Sequence, residues 1–340
     1  IGYRRSICEQ HGLPAEHCAT LGTTANMNNV CITMQVFRDL TVAAVCTGGV
    51  EDNAGRVGDP ALVVETSDGF EKLPLVTVVP GPGTINTLLF INKPLIHGAL
   101  TRCIMTATEA KASVLQELAV NSRYSDGLAT GTGTDQIAVA AMEDNTPPLT
   151  SAGKHTKLGE LIGRTVYESI KGTLARQNNL TPTSQCSAKI HLERFGLSRA
   201  EMQKSICNHL ENDQAELLRC NFSVIERDPM TVAAVAALAH LRDKITWGVL
   251  PETCQSEVMG SFAAQVACAV GGHYARMEEY RQLLAPTRKE TDNAAFIDLA
   301  CRALALGFAE KWQKIPSAET GDTQNVSMTK LDASQSETDQ

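Results

Sequence analysis

Ala129-Thr-Gly-Thr-Gly-Thr-Asp135 runs straight into Gln136-Ile-Ala-Val-Ala-Ala-Met142, and this junction decides how the first half of the chain is read. Gly131 and Gly133 let the backbone turn tightly. Thr130, Thr132, Thr134 and Asp135 then crowd one loop, where backbone N–H groups and hydroxyls can meet a single ligand oxygen. The apolar run that follows has the length of a strand. Similar runs occur at Thr41–Cys46, Ala61–Val64, Leu75–Val79 and Thr84–Ile91, each bounded by Gly, Pro or polar residues, and all read as buried strands. Two stretches have helical spacing. One is Glu109–Leu118; the other is 158–174, with Leu158, Leu161, Ile162, Val166, Ile170 and Leu174 on one stripe.

Composition changes near 178–187, a polar run containing Pro182, and only helices follow. Ser198-Arg-Ala-Glu201 is a capping-box pattern that opens a helix to about Asn212. Pro229 fits the first position of a helix over 231–247. Gly271-Gly272 interrupts a run over 257–284, and 293–312 forms another helix. The expected architecture is therefore α/β or α+β, a mixed sheet with flanking helices, followed by an all-α C-terminal domain. The expected divisions are 1–178, 188–315 and a disordered Ser/Thr/Asp/Gln-rich tail over 316–340.

Bulk properties narrow the function. A net charge of −8, with no basic block, argues against nucleic acid and against anionic membrane surfaces as partners. The longest apolar run, Val232–Leu241, is too short to span a bilayer. Eleven cysteines, none spaced C-x-x-C, read as reduced thiols of a cytoplasmic protein. No zinc motif, P-loop, dinucleotide fingerprint or G-x-S-x-G elbow survives inspection, so neither a metal nor a cofactor is expected.

Polar clusters remain. They are Thr23-Thr-Ala-Asn-Met-Asn-Asn29, the stretch Thr47–Pro60, Gly83-Thr-Ile-Asn86, Thr106-Ala-Thr-Glu-Ala-Lys111, the Thr/Gly loop, and Gly153-Lys-His-Thr-Lys157. In this order the set resembles the adenosylcobinamide amidohydrolase family of corrinoid salvage, from about Thr23 to about Leu174. The resemblance implies hydrolysis of the amide between the corrin ring side chain and aminopropanol, with adenosylcobyric acid as the other product and the corrinoid as substrate. Family members carry further strand-like sequence ahead of the region matching Thr23, and this chain is expected to lack much of it. Cys46 stands where a hydroxyl residue is expected, so it is not taken as a nucleophile.

Amide hydrolysis needs an activated nucleophile, a stabilised oxyanion and a protonated leaving amine. Asp135 or Glu109 could hold or deprotonate water, and Lys111 or His155 could donate a proton or stabilise negative charge. Thr130, Thr132 and Thr134 offer donors. Asn26, Asn53, Asp59 and Asn86 are candidates for binding the substrate, since a carboxamide both donates and accepts. Each has a plainer reading. Glu109 can complete a capping box with Thr106, Lys111 can be a solvated charge, Asp135, Asn53 and Asp59 can be turn residues, and His155 can sit in solvent. A non-catalytic corrinoid binder and a hydrolase of a different amide stay open as rivals, as does homo-oligomerisation.

Overall fold

The computed structural model describes residues 2–74, 81–285 and 292–311. The expected strand at Leu75–Val79 and the expected tail at 316–340 lie outside them. The strands are β1 (Cys31–Phe37), β2 (Leu40–Gly49), β3 (Ala54–Gly55), β4 (Val63–Thr66), β5 (Gly69–Lys72), β6 (Thr84–Ile91), β7 (Gly131–Thr132) and β8 (Gln136–Ala141). The main sheet has the order β1-β2-β6-β8. It is antiparallel up to β6, and β8 then joins parallel through a crossover.

That crossover contains α2 (His97–Glu117), which packs beside α3 (Lys157–Asn178). The apolar stripe of α3 is buried along its whole length, and Val42, Ala44, Cys46, Leu89 and Ile91 meet the helices from the sheet. Thr156 caps α3 by accepting the Gly159 N–H at 3.2 Å, and Asn179 ends it in the left-handed conformation.

Among the described residues, the helices cover one face of the sheet only. On the other face Ile32, Met34, Val36 and Phe90 are exposed. Of the runs read as buried strands, β2 and β6 are buried on the face under the helices, while Phe90 of β6 is exposed on the open face, so their apolar runs come from one covered face plus one apolar open face. Val63–Thr66 is a strand, but of an exposed hairpin with β5, and not a core strand.

Helix α2 starts twelve residues before the expected Glu109. Its first turns bury only Ala99, Cys103, Thr106 and Ala107, small residues that leave a faint periodic signal. Thr106 is thus mid-helix, and its hydroxyl donates to the Ala152 carbonyl at 2.9 Å instead of capping.

The remaining helices are α1 (Gly2–Gln10) ahead of the sheet and, beyond it, α4 (Pro182–Gln185), α5 (Ala188–Glu193), α6 (Arg199–Cys207), α7 (Asn212–Glu226), α8 (Pro229–Thr246), α9 (Gln255–Gly271), α10 (Met277–Leu283) and α11 (Asn293–Glu310). From α5 on they share a second core that includes Phe195, Phe222, Tyr280, Phe296 and Phe308. Ser198 and Glu201 form the capping box of α6, and Pro229 occupies the first turn of α8. Gly272 ends α9 at φ +81°, which explains the break in the expected long helix.

Helices α9 and α11 cross at Gly307. A Cβ there would stand 2.7 Å from Val270 Cβ and 3.0 Å from Ala267 Cα. Gly307→Val is expected to lower stability by about 3 kcal/mol through overpacking, read as a lower urea midpoint by far-UV circular dichroism.

Arg194 joins the two units. It pairs through both nitrogens with Asp243, at 2.9 and 2.6 Å, and also donates to the Asp126 carbonyl. Asn293 Nδ2 reaches both carboxylate oxygens of Asp126, at 3.0 and 2.9 Å. Among the described residues, no helix is long and apolar enough to cross a membrane.

Candidate active site

The Thr/Gly loop is folded against the loop that follows β2. Ala54 and Gly55 of β3 pair antiparallel with Thr132 and Gly131 of β7, and the Thr130 N–H donates to the Gly55 carbonyl at 2.9 Å. Thr134 Oγ1 donates to the Gly83 carbonyl at 2.9 Å, and Thr84 Oγ1 to the Thr134 carbonyl at 2.8 Å. Three loops, leaving β2 and entering β6 and β8, are thereby stitched together at one end of the sheet.

Asp135 organises the stitch. Its carboxylate accepts the Ile85 N–H at 2.8 Å, the Thr132 N–H at 2.9 Å and the Thr132 hydroxyl at 2.6 Å, and it pairs with the Lys111 ammonium from α2. Both members of the ion pair are largely buried. Gly131 is required by this arrangement: a Cβ on it would lie 2.7 Å from Lys111 Nζ and still closer to the Asp135 carboxylate.

A cavity of about 700 Å³ opens above the pair. One wall is α2, through Thr108, Glu109, Lys111 and Ala112; the other is the segment from Asn53 to Leu62; Thr130–Thr134 lie between them. Asn53 is buried, donates to the Gly83 carbonyl at 2.9 Å and accepts the Tyr124 hydroxyl at 2.7 Å. Burial, with the nearby Asp59 carboxylate, raises the Tyr124 phenol above its ordinary value, so it stays a protonated donor. Asp59 accepts the Arg56 N–H at 2.7 Å and the Ser122 hydroxyl at 2.6 Å, which fixes the second wall.

Glu109 sits at the mouth, exposed, and pairs with Lys154 at 2.6 Å. The hydrogen bond from Lys154 holds its carboxyl below the usual range, so it is ionised at neutral pH.

The fold thus brings Asn53, Asp59, Glu109, Lys111, Thr130, Thr132 and Thr134 to one cavity, with Asp135 bonded to Lys111 beneath it. Three of the expected residues are not brought there. His155 is exposed and does not line the cavity, because the turn ahead of α3 carries it to the surface. Asn26 is exposed and caps the turn Met27–Asn29, accepting the Asn28 N–H at 3.0 Å. Asn86 is buried on β6, where its amide donates to the Gly22 carbonyl at 2.8 Å.

Asp135, one of the expected bases, has four donors on its carboxylate, so it anchors the site. Arg56 and Tyr124 were not among the expected residues. Arg56 lies inside the quoted Thr47–Pro60 cluster, whereas nothing in Ser122-Arg-Tyr-Ser-Asp-Gly127 distinguishes Tyr124 from a turn residue.

All eleven cysteines are free thiols. Cys46 faces the helices, fully buried, and burial pushes its thiol up. Among the described residues, no three His, Cys, Asp or Glu side chains gather as a ligand set for a metal ion.

A family model described as adenosylcobinamide amidohydrolase matches residues 1–182, a wider span than the Thr23–Leu174 region quoted above. An uncharacterized protein of Methanocaldococcus jannaschii is 36% identical over 182 residues, which cover 52% of this chain and 71% of that relative. No solved structure matches. The matched span contains the whole cavity and ends before α5, so the second core lies outside it.

Proposed function

The chain belongs to the adenosylcobinamide amidohydrolase family, and from that premise we propose that it hydrolyses the amide between the corrin side chain and aminopropanol in adenosylcobinamide. The products are adenosylcobyric acid and aminopropanol, as corrinoid salvage in a cytoplasm would require. One observation carries the reading: a single cavity within the matched span joins a largely buried ammonium, an ionised carboxylate and the hydrogen-bonded side chains of Asn53 and Tyr124.

The chemistry distributes as follows. Asn53 and Tyr124 bind the amide-bearing arm, because a carboxamide and a phenol together donate and accept. Glu109 takes a proton from water, and the resulting hydroxide attacks the amide carbon. The Lys111 ammonium, held in place by Asp135, faces the oxygen as it gains negative charge. Glu109 then returns the proton to the departing nitrogen, the C–N bond breaks, and the amine leaves. Glu109 and Lys111 are the catalytic residues in this reading, and Asp135 is a positioning residue. A hydrolase of another amide would need the same parts, so the substrate itself is what must be tested.

Purified protein incubated with adenosylcobinamide is expected to release aminopropanol. Corrinoid that co-migrates with the protein while no amine appears would make it a binder. Glu109→Gln is expected to lower kcat on the order of 100-fold and leave KM within about threefold. Lys154→Ala removes the group that lowers the Glu109 carboxyl. The acid limb of kcat/KM is then expected to move to higher pH, toward the ordinary glutamate value. An unmoved limb would exclude Glu109 as the base.

A further inference from the structure

A second cleft, about 670 Å³, lies where the two units meet. Its wall toward the active-site cavity is the Arg56–Asp59 turn, and Arg56, Val57 and Asp59 line both spaces. That turn is tied down from each side. The Val57 N–H donates to Thr130 Oγ1 at 2.9 Å, and Ser122 Oγ donates to Asp59 at 2.6 Å. A ligand projecting over this wall from the first cavity therefore enters a preformed second one.

The charged side chains of the cleft are largely engaged already. Arg194 is paired with Asp243, Arg242 lies 3.8 Å from Asp126 and donates to Asn293 Oδ1, Asp126 holds the Asn293 amide, Arg56 donates to the Leu128 carbonyl, and Asp292 caps α11. An ionic ligand would have to disturb these contacts, so the cleft fits a neutral one. Trp247, at the end of α8, adds a large flat surface. Lys244 lies 5.1 Å from the centre of its ring, yet 54% of the residue is exposed. A neutral planar heterocycle with hydroxyl groups matches an indole edged by the acceptors Asp126 and Asp292.

Size points the same way. Pockets of ~300–1,000 Å³ enclose drug-sized molecules. A corrin macrocycle bearing a nucleoside is larger than these, and one cavity of about 700 Å³ cannot hold it whole. We propose that the cleft between the units is the nucleoside subsite of the corrinoid, with the adenine stacked on Trp247. This rests on the activity proposed above. It gives the helical unit, outside the family match, a part in substrate recognition.

The test compares adenosylcobinamide with cyanocobinamide, which has the same amide arm and no nucleoside, on the full chain. Trp247→Ala is expected to raise KM and Kd for adenosylcobinamide on the order of tenfold, with kcat within about twofold, as loss of one base–aromatic stack predicts. Cyanocobinamide constants should not move, and Trp247→Phe should restore most of the loss. Equal changes for both corrinoids, or none for either, overturn the subsite. Wild-type protein that binds the corrinoids without hydrolysing them overturns the activity alone, and the Kd ratios still decide the subsite. Wild-type protein that binds neither overturns both.

Discussion

Lys111→Met should lower kcat on the order of 10²–10³-fold while changing substrate affinity less than about threefold. The ammonium sits at the base of the cavity, fixed by the Asp135 carboxylate, and Thr130–Thr134 line the same cavity. A charge placed in this way needs no reorganisation when the amide oxygen becomes an oxyanion, so its loss falls on the transition state. Methionine keeps the length and much of the volume of the lysine and removes the charge. Stability falls as well, by about 3 kcal/mol, because Asp135 loses its counterion in a poorly solvated place.

Kinetics alone cannot then separate a lost charge from a loosened site. The separating measurement is rescue of Lys111→Ala by added ethylamine, a small cation that can re-enter the vacated volume. Recovery of turnover with rising amine, and none with an uncharged alcohol of the same size, would place the cation in the reaction. A Lys111→Met enzyme with wild-type kcat would remove it from the mechanism.

Much of this site can be read in the sequence because the chain advertises it. Glycines alternating with threonines ahead of Asp135 have no use in a core, and Glu109 and Lys111 are charges in the small-residue stretch Thr106–Ser113. What brings them together cannot be read. The cavity depends on the two-residue ladder Ala54–Gly55 with Gly131–Thr132 and on the approach of Lys111 to Asp135 across 24 positions. No local pattern encodes either. Tyr124 escapes notice because a longer-range contact, the Arg123 N–H on the Ala54 carbonyl at 2.9 Å, carries its loop to the cavity. His155 and Asn26 err in the opposite sense. Each stands in a polar cluster resembling the others, but the helix or turn beside it uses that polarity locally.

The fold divides along the same line. Signals at Ser198, Pro229 and Gly272 are local chemistry, and the helices start or stop where they point. Strand β1 goes unannounced for a physical reason. Its alternation puts Cys31, Thr33 and Gln35 on the side of α3, where Thr33 Oγ1 donates to the Thr165 carbonyl at 2.7 Å. Ile32, Met34 and Val36 point to the open face. The pattern is inverted, with its apolar side uncovered, and so gives no ordinary signal of a half-buried strand.

Asp135→Asn is the change expected to do most damage, with activity below about 1% of wild type and stability lowered by about 3–5 kcal/mol. The carboxylate accepts from Ile85 N, Thr132 N, Thr132 Oγ1 and Lys111. It offers two oxygens, each facing two donors. Asparagine replaces one oxygen with an NH₂ group, and either orientation of the amide sets that group against two donors. Each buried donor left without an acceptor costs about 1–3 kcal/mol, and the ion pair is lost at the same time. The damage should be local: the Ile85 and Thr132 amides lose protection from hydrogen exchange, while amides in α9 and α11, in the other core, keep theirs. This separates the two roles open to the residue. An anchor loses rate, stability and protection together, whereas a base loses rate alone. An Asp135→Asn protein that melts like wild type, with both amides still protected and turnover gone, would make Asp135 the group that moves the proton and Glu109 a bystander at the rim.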